Sequence, residues 1–542
     1  MASIWASGGS IVVRPAHQGC QVRYGFLIDH NRCIGCHACT VACKDEHSVP
    51  VGVFRTWVKY IEKGEFPNTS RHFGVMRCNH CDAAPCIEIC PTGALFRRDD
   101  GIVDFDNTRC IGCKSCMQAC PYDALYIDPD THTAAKCNFC AHRIELQLEP
   151  ACVVVCPTQA IVPGDLDDPG SRIAQMVATQ NVVSRKPHKG TQPKLFYTGI
   201  DSDFMRPAMM EGQVSHVFAG HNPAANPYSL EHSEDSAAAP SSSRVVYDVA
   251  HPQPWGVIPA FYLWTKSIAA GLLIVAALLI FINRITGADA IIPNILNPVM
   301  ALVFLGVTVI LLIADLDRPD RFYYILTKSN SHSWLVWGTW ILIAYGLLAL
   351  GWLGFGILTP SVPRILMAPA AIMGIAAAAY SAFLFAQGRG RDLWQSHLFL
   401  WHLIIQAIVA GAASTILVTV TVTISGLGLV AGGRQIIHTI DPLLAASILV
   451  SVTMILAEMY MSPPTVDVKH ATDLITRGAL STQFWYGAIL VGGMVPFVLT
   501  AIATSTDHLW IILNVMAAVS ALFGLFVFDN IWIVAGQAPP LS

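Results

Sequence analysis

A chain of 542 residues is too long for a single hydrophobic core and calls for two or more domains. It is 53% hydrophobic and only 13% charged, where a soluble chain carries about 25% charged residues, so a fully soluble protein is excluded. The formal net charge of −4 is small, and no nucleic-acid partner is expected.

Residues 1–22 read as a flexible tail. The stretch MASIWASGGSIVVRPAHQGC has no charged region ahead of an apolar run and no twin arginine, so no export signal is expected. Cys20 stands alone there as a free thiol. The other sixteen of the seventeen cysteines fall within residues 23–190, in four motifs. These are Cys33, Cys36, Cys39 and Cys43; Cys78, Cys81, Cys86 and Cys90; Cys110, Cys113, Cys116 and Cys120; and Cys137, Cys140, Cys152 and Cys156. Four thiolates hold one cubane cluster, so sixteen suffice for four [4Fe-4S] clusters. One such motif alone could be a zinc site, but four in a row, three closing in Cys-Pro, point to iron–sulfur chemistry. Two-residue spacings let three thiolates of one loop cap three corners of a cube, while the fourth cysteine of a motif serves a partner motif.

An internal repeat relates Asp29-His30-Asn31-Arg32-Cys33-Ile34-Gly35-Cys36 to Asp106-Asn107-Thr108-Arg109-Cys110-Ile111-Gly112-Cys113. Ligand loop, short helix, turn and strand alternate, which predicts an α+β ferredoxin-like domain organised by its clusters. Residues 191–251 have the Asn, Pro, Ser and Ala composition of a linker. Residues 252–542 then carry eight apolar stretches, near 257–282, 291–314, 334–357, 365–387, 397–422, 436–459, 482–502 and 508–533. Each reaches the roughly 20 residues that cross a bilayer, predicting an all-α eight-helix transmembrane domain of two four-helix bundles.

Eight spans place both ends of the membrane half on the side of the cluster domain. The short connectors on that side carry Arg244, Arg318, Arg321, Lys328, Arg389, Arg391, Lys469 and Arg477, against Arg284, Arg364 and Arg434 on the other. Eight against three assigns the cluster domain to the cytoplasmic face of a prokaryotic inner membrane. Haem needs facing histidines at membrane depth; His397, His402, His438 and His508 sit near helix ends or on different faces, so no haem is expected.

The four cysteine motifs, with the widened gaps Cys81 to Cys86 and Cys140 to Cys152, resemble the four-cluster subunits of molybdopterin oxidoreductases such as dimethyl sulfoxide reductase, polysulfide reductase and formate dehydrogenase. That resemblance implies that motif one shares a cluster pair with motif four, and motif two with motif three. The membrane half is similar to the NrfD-type subunit of polysulfide reductase. The residues that carry this likeness are Trp255 with Pro259 to Trp264 and Ile268 to Gly271, Ala314 to Pro319 with Arg321-Phe322, Ser333 to Gly338, Tyr380 to Leu384, and Phe484 to Gly487. The likeness implies a quinone held without haem, under the cluster domain and within the first four helices.

The residues themselves suggest where. A lysine inside a span is costly and marks a functional site by default, which singles out Lys266. Tyr262 lies four residues earlier on the same helix face. Asp315 closes the second stretch, and Tyr380 lies late in the fourth. Together these four can surround a quinone, menaquinone or ubiquinone, whose reduction takes two electrons and two protons. Lys266 could instead pair with Asp315 and simply hold helices together. In the second bundle Asp441, Glu458 and Asp529 are either a proton route or solvated helix ends. The expected protein is an electron-transfer and membrane-anchor subunit working between membrane quinone and a separate molybdenum or tungsten molybdopterin subunit. A hydrogenase or multihaem cytochrome partner, or a proton-translocating role in a larger quinol-oxidising complex, remain the alternatives.

Overall fold

The computed structural model describes residues 22–64, 66–212, 243–282, 290–359, 362–425, 432–506 and 509–542. Cys20, Arg284, His508 and residues 213–242 of the expected linker lie outside them.

The cluster domain is built from short strands and shorter helices. Strand Tyr24–Asp29 pairs antiparallel with Ile161–Asp165 and parallel with Leu195–Thr198. A second sheet joins Thr56–Lys63 to Ser70–Arg77, with Ser243–Tyr247 on its other edge. Two hairpins, Leu95–Arg97 with Val103–Phe105 and Leu125–Asp128 with Thr133–Lys136, follow the second and third cysteine motifs. The core is small: Phe26, Ile28, Val58, Ile89 and Phe139 pack among the cysteines themselves.

Within the 191–251 stretch expected as a linker, Leu195–Thr198 and Ser243–Tyr247 are sheet strands that pair with Tyr24–Asp29 and Thr56–Lys63 of the cluster domain. Their pairing is set by backbone hydrogen bonds to segments far away in the sequence, which loop-like composition does not reveal.

Among the described residues eight helices are long and apolar enough to cross a membrane: Ile258–Phe281, Ile292–Ala314, Trp334–Leu358, Arg364–Ala386, Leu398–Ile424, Gly433–Tyr460, Gln483–Ser505 and Trp510–Gln537. They are called the first to eighth spans below. The first four pack on one another, as do the last four, giving two four-helix bundles. The seventh span starts as a π-helix over Gln483–Met494.

The seam between the bundles is the crossing of the first span on the fifth. Gly271 and Gly411 meet there backbone to backbone, and a Cβ on either would overlap main-chain atoms of the other helix. Small residues at a crossing let helices approach closely in lipid, where packing rather than hydrophobicity holds them together.

Candidate functional site

The ligand loops repeat in backbone as well as in sequence. Gly35 and His37 have φ of +69° and +61°, and Gly112 and Lys114 have +70° and +59°. Left-handed residues curl each loop so that its thiols converge; at the glycines there is also no room for a side chain. A Cβ on Gly35 would strike the Phe73 ring, and one on Gly112 would strike Asp317.

The sixteen cysteines of the motifs are free thiols gathered in four rings. Cys78, Cys81, Cys86 and Cys120 line one apolar cavity, and Cys90, Cys110, Cys113 and Cys116 line another. On the other side of the domain Cys156 acts electrostatically on Cys33, and Cys43 lies among Cys137, Cys140 and Cys152. Each motif thus lends its last cysteine to a partner, one with four and two with three. No three His, Cys, Asp or Glu side chains among the described residues close on a single ion. Zinc would need such tight convergence, with Zn–S bonds of about 2.3 Å. Rings of four thiols around a cavity suit a cubane instead.

Electrostatic influence links neighbouring rings in a fixed order: Cys152 acts on Cys39, Cys78 on Cys137, and Cys86 on Cys116. The rings therefore run in a line, from Cys33/Cys36/Cys39/Cys156 through the Cys137 and Cys78 rings to the Cys110 ring. Burial pushes the Cys39 thiol up to about 11 and the Cys140 and Cys120 thiols up to about 12. Such thiols ionise when a metal displaces their protons.

Donors wait around the sulfurs. The Ala134 and Ala160 amides donate to Cys110 and Cys156 Sγ at 3.4 and 3.2 Å. Arg77, 1% exposed, donates from Nη1 to Cys152 Sγ at 3.2 Å and lies over the Phe26 ring. Its Nε and Nη2 are buried without a hydrogen-bond partner among the described residues. A buried guanidinium with idle donors among thiols fits a site that takes up a negatively charged group.

The Cys110 ring rests on the membrane half. Asn330 Nδ2 donates to Cys90 O at 2.8 Å, Arg321 Nη1 to Cys110 O at 3.1 Å, and Trp255 Nε1 to Cys113 O at 3.4 Å. Lys114, the residue after Cys113, pairs with Asp317 at 3.1 Å and donates to Asp315 O at 3.3 Å. At the far end of the line Cys36 is exposed.

Beneath Asp315, three of the four residues singled out above come together. Lys266, 1% exposed, donates from Nζ to Ser381 Oγ at 2.6 Å and to Ala378 O at 3.0 Å, with the ammonium 4.7 Å from the Tyr380 ring centre. Tyr262 reaches the same Ser381 and feels both Tyr380 and Asp315. Asp315 sits higher, where burial pushes its carboxyl up to about 6 against the pull of Lys114. The alternative of a Lys266–Asp315 pair is not realised, because Lys266 turns to the fourth span. Ser381 was not singled out; a serine beside a tyrosine carries no charge signal, although it lies within the Tyr380 to Leu384 motif.

A family model described as polysulphide reductase, NrfD, matches residues 246–540. This polypeptide belongs to the NrfD family. Models of 4Fe-4S dicluster domains match residues 32–94 and 70–166 ahead of the NrfD region. The sequence is 48% identical over 195 residues to a tetrathionate reductase subunit of Salmonella typhimurium, covering 35% of this protein and 78% of that one. It is 42% identical over 177 residues to a polysulfide reductase component of Wolinella succinogenes, 32% of this protein and 93% of that one. It is 47% identical over 163 residues to the thiosulfate reductase electron transfer subunit PhsB of Salmonella typhi, 30% of this protein and 84% of that one. An iron–sulfur domain and an NrfD membrane domain are thus joined in one polypeptide, and the Cys110 ring, Asp315 and Lys266 lie along their junction.

Proposed function

We propose that this protein passes electrons between a separate catalytic molybdopterin subunit, of molybdenum or tungsten, and quinone in the membrane. The contact of Lys114, next to Cys113 of the last ring, with Asp315, which acts electrostatically on Tyr262 beside Tyr380, supports this reading most strongly. Four [4Fe-4S] clusters, one per thiol ring, supply one-electron transfer when bound. The catalytic partner docks at the exposed Cys36 end, and the relatives named as reductase subunits support that choice of partner.

At the other end, menaquinone or ubiquinone sits against Tyr262, Lys266 and Tyr380. Lys266 and Tyr262 hold a quinone oxygen by N–H and O–H donation, and Ser381 fixes both. Negative charge that develops on that oxygen is stabilised by the ammonium in a site from which water is excluded. Lys266→Ala is expected to slow quinol-linked turnover about 100-fold while the iron content holds. Unchanged turnover removes quinone from this position.

Arg77 holds its charge between the Cys33 and Cys137 rings. Arg77→Met is expected to lower the potentials of those two clusters by on the order of 60 mV, a tenfold shift in a one-electron equilibrium. Redox titration followed by electron paramagnetic resonance reads this directly; equal potentials in both proteins refute it.

The cluster domain is assigned to the cytoplasmic face of the inner membrane, supported by the eight-to-three excess of Lys and Arg. Five of the eight also bind the cluster domain: Arg244 at Glu62, Arg318 at Thr131 O, Arg321 at Asn107 O, Arg389 at Glu88 and Arg391 at Gln118. Setting those aside leaves three against three, so labelling must decide. On right-side-out vesicles a membrane-impermeant maleimide should label Arg364→Cys and spare Lys469→Cys, both exposed positions. The opposite pattern inverts the assignment.

A further inference from the structure

The two bundles repeat each other around their seam. A shift of 140 residues carries Tyr262, Lys266 and Gly271 of the first span onto His402, Gln406 and Gly411 of the fifth. A shift of 148 carries Tyr380 and Ser381 of the fourth span onto Phe528 and Asp529 of the eighth. The contacts repeat too. Lys266 Nζ donates to Ser381 Oγ at 2.6 Å, and Gln406 Nε2 donates to Asp529 Oδ2 at 2.6 Å. Tyr262 lies beside Tyr380, and the His402 ring lies 4.7 Å from that of Phe528.

One node is thus built twice, with its charge reversed. The first copy holds a cation on its leading helix, and the second holds an acid on its last helix. Both nodes lie five residues, about 7.5 Å of helix rise, to the cluster side of the Gly271–Gly411 crossing. There Lys266 and Asp529 act electrostatically on each other. They are 1% and 2% exposed, so Asp529 is not the solvated helix end that its sequence position allowed. His402 Nε2 and Gln406 Oε1 are buried beside Asp529's helix without a hydrogen-bond partner among the described residues. Buried polar atoms are nearly always paired, and idle ones call for a catalytic role or a carrier that reaches them.

We propose that Lys266 and Asp529 form a proton-exchange pair across the seam, through which the second bundle supplies and removes the protons of the quinone site. This rests on the placement of quinone at Tyr262 and Lys266. In reduction, each electron arriving by the cluster line adds one negative charge to the quinone. An N–H bond of the Lys266 ammonium breaks, its electron pair stays on nitrogen, and an O–H bond forms on the quinone. The carboxyl O–H of Asp529 then breaks and restores the ammonium, leaving a carboxylate that Gln406 steadies by donation. A hydronium ion from bulk solvent, arriving through the second bundle, reprotonates it and leaves as water. Two rounds deliver two protons for two electrons and yield the quinol; quinol oxidation runs the same steps backwards.

The test uses the full purified complex with menadiol as electron donor and cluster bleaching as the readout. Asp529→Asn is expected to lower kcat about 100-fold, with KM for menadiol within about twofold, and Asp529→Glu should recover most of the rate. The solvent deuterium effect on kcat should rise in Asp529→Asn. A kcat that survives Asp529→Asn, or a loss confined to KM, overturns the pair. Should Asp529→Asn fail to assemble, Asp529→Glu decides alone: redox-induced infrared difference spectra must show its carboxyl band displaced from that of the parent protein, and an unmoved band overturns the pair. Binding of 2-heptyl-4-hydroxyquinoline N-oxide separates the two readings. Lys266→Ala that still binds it and turns over normally sinks the quinone placement itself, whereas Asp529→Asn that binds it normally and keeps its kcat sinks only the exchange pair.

Discussion

In Cys113→Ala the clusters that remain are expected to be reducible by dithionite but not by quinol. Cys113 belongs to the ring that touches the membrane half, with its carbonyl held by Trp255. The rings run in a single line, so loss of this one separates quinone from the other three. Iron should fall by about four atoms from about sixteen per polypeptide. Cys36→Ala, at the exposed end, removes the same amount of iron with the opposite consequence: quinol still reduces the three clusters nearest the membrane, and transfer to the catalytic partner stops. Rapid-mixing absorbance with each reductant distinguishes the two variants. Quinol reduction surviving in Cys113→Ala would mean that the line has another entry point. An iron content near about twelve in the unmodified protein would contradict four cubanes.

Much of this was legible in the sequence, for a physical reason in each case. Cluster ligands must recur at fixed short spacings, so the sixteen cysteines are visible without a structure. A bilayer demands long uninterrupted apolar helices, so the eight spans appear near their final bounds, such as 291–314 for Ile292–Ala314. Lys266 is visible because charge in a span is rare. What escaped depends on contacts between distant segments. Ser381 matters only because Lys266 reaches it from another helix. Arg77 ends a strand whose alternation gives no hint that its guanidinium lies among three thiols of two motifs. Leu195–Thr198 is a strand only because Tyr24–Asp29 lies beside it. Four of the arginines that read as topology signals, Arg318, Arg321, Arg389 and Arg391, also fasten the membrane half to the cluster domain, a double use that counting charges does not detect.

Gly271→Ala should cost more than any other single methyl group in the membrane half. Its Cβ would fall on the Ala407 carbonyl and on the Gly411 backbone, neither of which can swing aside as a side chain can. The first and fifth spans must therefore separate along the seam. Overpacking a tight core costs about 1–3 kcal/mol, and the main-chain obstruction puts this site at or above the top of that range. Thermal unfolding in detergent should show a clear fall in midpoint, while Gly354→Ala, where an added methyl meets nothing within 4 Å, should leave it unchanged. The damage should also be specific. Lys266 and Asp529 belong to the two bundles that this crossing joins, so a variant that survives purification should keep its iron content and lose quinol-linked turnover. Equal stability in the Gly271 and Gly354 variants would show that the bundles are not locked at this point, and the alignment of the two nodes would then need another cause.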